Sequence, residues 1–76
     1  MVNFWTWYEN LSLDEKKFYK MHILKATGVT PATFKMWIYR QSISRPNMTL
    51  IYDYFLDKFG MEFDFRNPQD IKDTAV

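Results

Sequence analysis

The stretch Thr27-Gly28-Val29-Thr30-Pro31 leaves the backbone few choices. Gly28 can take the left-handed conformation that closes a helix. Thr30 can cap a new helix with Pro31 at its first position, where a missing N–H costs nothing. One helix must therefore stop and another start within a few residues. The upstream helix begins at Ser12, whose spacing to Glu15 is that of a capping box. The Ser12 hydroxyl accepts from the Glu15 N–H, and the Glu15 carboxylate accepts from the Ser12 N–H. Asp14 and Glu15 also suit the positive end of the helix dipole. The downstream helix carries Phe34, Trp37 and Ile38 on an apolar face, with Lys35, Met36, Tyr39 and Arg40 away from it. It is expected to fade near Gln41, because Ser42 to Pro46 reads as a loop.

Two more helices follow from similar signals. Asn3 is placed to cap a short helix from Phe4 to about Asn10. Trp5, Trp7 and Tyr8 fall on it, and three rings in four positions are not expected to point inward from one helix. Asn47 is predicted to cap a closing helix over 47–59, with Gly60 behind it. Met48, Ile51, Tyr52, Phe55, Leu56 and Phe59 share its wide apolar face, and Asp53 and Asp57 mark the wet side. Leu50 and Tyr54 sit near neither centre. Met61-Glu62-Phe63-Asp64-Phe65 alternates with the period of a strand. No partner strand is evident, so the segment is expected to be an extended arm or to pair with a second copy. Beyond Pro68 the polar composition predicts fraying.

The expected fold is thus all-α: a small four-helix domain containing a helix-turn-helix, with a short extended tail over 61–76. Seventy-six residues suffice for one domain, 1–76. There is no cysteine to staple it. A single core of this size rarely supplies more than ~3–5 kcal/mol. An aromatic content of 20% is one remedy, because each buried ring removes roughly 150–250 Å² from water. No apolar run approaches the ~20 residues that span a bilayer. The start lacks the basic region of a secretory signal. Without that signal or cysteine, an intracellular location is the default expectation.

The net charge of +1 hides a strong asymmetry. Residues 1–15 sum to −3, residues 16–52 to +7 with no acid, and residues 53–76 to −3. The middle block is Lys16, Lys17, Lys20, Lys25, Lys35, Arg40 and Arg45. Such a block is the footprint of a polyanion-binding surface, the plainer account being a solvated face. The helix-turn-helix, about 16–41, falls inside it. Val29 would fill the angle between the two helices, and the second could lay its start in a DNA major groove.

Here the sequence resembles a known family. TGVTPATFKMWI, followed by a loop ending in Arg45-Pro46 and another amphipathic helix, is similar to the lambda-repressor-like helix-turn-helix group. It looks most like the short regulators of Bacteroidetes bacteria and their phages. The resemblance covers roughly Ser12 to Gly60. It implies double-stranded DNA binding, most simply in transcription control, with helix 30–41 in the major groove. Gly28, Val29, Phe34 and Trp37 match the turn and core positions, and Thr30 the cap that faces a phosphate. Pro31, Ala32, Lys35 and Met36 match groove-facing positions, while Tyr39 and Arg40 match positions near the DNA backbone. Arg45 joins them as a phosphate contact. Three departures bear on the contacts. Pro31 stands where the family often has glutamine, Leu24 where it often has a small alanine, and Tyr39-Arg40 where it often has glycine.

Other chemistry is thin. His22 is the only histidine, so a zinc site would need carboxylates alone beside it. A half-packed helix-face histidine is the simpler reading. Asp53 and Asp57 stand four apart but imply no pocket. No glycine-rich phosphate loop exists. The chain is expected to need no cofactor or metal and not to be an enzyme. A rival reading keeps the scaffold without DNA readout, as a protein-interaction or phage structural or accessory module. The aromatic start, the strand-like tail and the apolar Pro31-Ala32 entry favour it. A homodimer is expected through Leu50, Tyr54 or the 61–65 segment, with the N-terminal rings ranked lower and a monomer with its tail folded back as the counter-case.

Overall fold

The computed structural model describes residues 1–68 of the chain. In chain order these are β1 (Val2–Asn3), α1 (Phe4–Glu9), α2 (Leu13–Thr27), α3 (Pro31–Arg40), α4 (Arg45–Phe59) and β2 (Phe63–Asp64). The domain is mostly helical, as the punctuation predicts. Residues 69–76, expected to fray, lie outside the described part.

Most helix ends are where local chemistry puts them. Asn3 Oδ1 accepts the Thr6 N–H at 3.1 Å and starts α1. Both halves of the Ser12–Glu15 capping box form, at 2.9 and 3.2 Å. Gly28 closes α2 at φ +72° and Gly60 closes α4 at φ +67°. Gln41 ends α3 at φ +51°, a left-handed position that a side chain rarely occupies.

The start of α4 corrects the expectation. The helix begins at Arg45 with Ser44 as its N-cap, and Asn47 lies inside the first turn. Pro46 explains this, since its fixed φ suits a first helical turn where no N–H is needed. Asn47 instead donates its side-chain amide to Ser44 Oγ at 2.8 Å. The connection before α4 is not wholly wet either, because Ile43 is buried.

The tail is the larger correction. The 61–65 segment has its partner within the chain. β2 pairs in parallel with β1, Val2 opposite Phe63 and Asn3 opposite Asp64. Side chains reinforce the pairing. Asn3 Nδ2 donates to the Arg66 carbonyl at 2.7 Å, and Trp5 Nε1 to the Phe65 carbonyl at 2.8 Å. Tyr52 donates its phenol to the Glu62 carboxylate at 2.8 Å, tying α4 to the same segment. One edge of the segment is therefore taken by the chain's own β1.

The core forms where the two ends meet. Phe4, Ile23, Ile51 and Phe55 are fully buried, and Trp5, Tyr8, Phe34, Ile43 and Phe63 join them. Phe63 sits 4.8 Å from Trp7, 5.1 Å from Phe55 and 5.2 Å from Phe4 between ring centres. Trp5 and Tyr8 are buried and Trp7 packs against the core, so all three turn inward after all. A six-residue helix can do this because other elements enclose it on several sides, β2 on one and α2 and α3 on others.

α2 packs against α4, where Tyr19 and Phe59 meet at 5.5 Å. Beside them His22 Nδ1 and the Tyr54 hydroxyl are hydrogen-bonded at 2.7 Å. Tyr54 is thus engaged within the fold. Leu50 stays exposed, and so does Leu56, contrary to its expected place on the buried face of α4.

Candidate nucleic-acid interface

The geometry of α3 is set at its start. Thr27 Oγ1 donates to the Ile23 carbonyl at 2.8 Å, and the Gly28 N–H returns to the Leu24 carbonyl at 2.8 Å. These bonds seal α2 before the chain turns. Thr30 then accepts the Thr33 N–H on its hydroxyl at 3.2 Å, and the two hydroxyls lie 3.1 Å apart. Pro31 follows at the first turn, so α3 begins abruptly.

The helical period sorts the rest. Phe34 is buried, and Trp37 and Ile38 are partly buried against the core. Thr30, Pro31, Ala32, Lys35, Met36, Tyr39 and Arg40 are all exposed. Tyr39 is 86% exposed. At 100° per residue, Pro31, Lys35 and Tyr39 run along one flank, and Thr33, Met36 and Arg40 along the other.

Arg45 is exposed but stands apart from this set. It borders a different cleft, shared with Met1, Gln41, Ser42 and residues 63–67. The first turn of α4 carries it to the side of the molecule where β1 and β2 meet.

The flank of Lys35 and Tyr39 overhangs a groove of about 510 Å³ between α3, α2 and α1. Tyr8, Phe34 and Ile38 line it with Pro31 and Ala32, and Lys20 of α2 reaches it beside Lys35. A second cleft of about 300 Å³ shares Tyr8 and Ile38 with it. Lys16 borders this cleft, its Nζ 5.6 Å from the centre of the Tyr8 ring, and Glu9 lies on it too. Burial holds the Tyr8 phenol above its ordinary pKa, so it stays neutral. Lys20 and Tyr8 were not among the predicted contact residues. The signal for Lys20 is its place in the acid-free block, whereas Tyr8 is one of three rings not all expected to point inward.

Among the described residues no cluster of three or more His, Cys, Asp or Glu side chains could hold a metal ion. Asp53 and Asp57 are exposed on α4. His22 is buried, its pKa lowered by burial and then by the nearby charges of Lys58 and Lys25. No helix among the described residues is long and apolar enough to cross a membrane.

No protein-family model, curated protein or solved structure matches the chain.

Proposed function

We propose that this chain binds double-stranded DNA, with α2, the Gly28–Thr30 turn and α3 acting as a helix-turn-helix in transcription control. One observation carries the reading: the outward surface of α3, from Thr30 to Arg40, is exposed along its whole length and lies within a +7 segment that holds no acid. A helix of ten residues is roughly 15 Å long and fits a major groove about 12 Å wide. Lys35, Met36 and Ala32 then reach base edges. Thr30, Tyr39 and Arg40 lie toward phosphates, with Lys17 and Lys20 of α2 as further counter-charges. Pro31 brings apolar contact, such as to a thymine methyl, in place of a bidentate amide contact.

The test is a salt titration of the full chain on random duplex DNA. Contact with about four to six phosphates gives a slope of log affinity against log salt of roughly −4 to −5. Failure to bind duplex even at low salt would refute the reading.

A further inference from the structure

We propose that the groove along α3 is a docking site for an acidic amphipathic helical segment of a partner protein. Its two lobes meet over Tyr8 and Ile38, and Phe34 adds to the apolar floor. Cations stand along the rim: Lys20 and Lys35 on the larger lobe and Lys16 on the smaller. Duplex phosphates leave the Phe34 and Ile38 part of this floor unused, because those side chains carry no donors. A purely apolar segment leaves the lysines without partners. A helix with apolar anchors and flanking carboxylates matches both, burying rings at the centre and pairing charges at the rim.

The spacing agrees. The larger lobe is lined by α3 from Pro31 to Tyr39 and the smaller touches Ile38 and Gln41 at the end of that helix, whose ten residues extend roughly 15 Å. Anchors at i, i+4 and i+7 of a bound helix cover about 10 Å at a 1.5 Å rise, enough to place side chains in both lobes. The rim also sets direction. Among the described residues Glu9 is the acid on the groove, and it lies on the smaller lobe. The partner's carboxylates therefore belong at the Lys20–Lys35 end. An occupant there covers Lys35 and Tyr39, so it competes with DNA for α3. Only this last consequence rests on the DNA reading.

The test titrates the isotopically labelled full chain, free of DNA, with a synthetic helix of about 15 residues carrying leucines at i, i+4 and i+7 and flanking glutamates. Expected shifts centre on Tyr8, Phe34 and Ile38. Lys20→Glu with Lys35→Glu, folded by circular dichroism, should weaken binding about 10-fold or more, as reversal of two rim charges does. A scrambled peptide of the same composition should bind at least about 10-fold more weakly, as loss of register removes the anchors. No saturable binding at millimolar peptide, equal binding of the scrambled peptide, or shifts centred on Phe18 and Leu50 would each overturn the proposal. A second arm adds peptide to the chain on labelled duplex, where release is expected and simultaneous binding overturns the competition. A chain that binds the peptide but no duplex refutes the DNA reading and leaves the docking site standing.

Discussion

Replacing Phe63 by alanine tests whether the tail is part of the core or an ornament on it. Phe63 is 2% exposed and lies within 6 Å of the rings of Phe4, Trp7, Phe55 and Phe65. Truncating a buried phenylalanine costs about 3–5 kcal/mol, the transfer and cavity contributions together. Edge-to-face and tilted ring pairs add roughly 0.5–1.5 kcal/mol beyond area, which places this site in the upper half of that range. A 76-residue domain without staples is expected to hold only ~3–5 kcal/mol in total. Phe63→Ala should therefore leave the chain largely unfolded at 25 °C. Urea unfolding followed by far-ultraviolet circular dichroism and tryptophan emission gives the number, since Trp7 lies against Phe63 and Trp5 donates to the Phe65 carbonyl. A loss below about 1 kcal/mol, the scale of a peripheral contact, would show that the helices hold together without β2.

Stability should also depend on pH through His22. Its folded pKa lies below the ordinary 6.5, with burial the first cause, so the unfolded chain takes up the proton first. Stability is then full above pH 6.5 and falls as the pH drops from there toward the folded pKa. A melting temperature flat between pH 8 and 5, or the same slope in His22→Phe, would contradict this. Lys35→Ala should weaken DNA binding and change site preference, whereas Arg40→Ala should weaken all sequences alike. Competition binding on a randomised duplex pool separates the two, and equal sequence-blind losses would make Lys35 a phosphate contact only. Trp37→Ala should cost about 2–3 kcal/mol, less than a fully buried tryptophan because part of its ring is exposed. Native thermal stability in that variant would make Trp37 a surface residue.

Much of the fold is readable because its instructions are local. Ser12 and Glu15, Thr30 and Pro31, and the glycines at 28 and 60 act on residues within one turn of themselves. What escaped reading is long-range. Val2-Asn3 is too short to show alternation, so nothing in the sequence marks it as the partner of Phe63-Asp64. The inward turn of Trp5, Trp7 and Tyr8 depends on neighbours up to 60 positions away, and a helical wheel sees none of them. Asn47 lost the cap to Ser44 because Pro46 is at home in a first turn. The candidate face was legible as an exposed stripe on α3, since helical period alone sets it. The groove beside it was not, because Tyr8 and Lys20 come from other helices and meet α3 only in three dimensions.

The parallel pairing of β1 with β2 joins residues 61 positions apart. In a chain whose other bonds are mostly local, that single closure carries the largest share of the loop entropy. The helices can form early, as helices do within microseconds. Phe4 and Phe55 nevertheless gain their contact with Phe63 only when that closure forms. On the ribosome the interior therefore completes only after residue 63 has emerged, and every shorter nascent chain presents an open ring cluster to the cell.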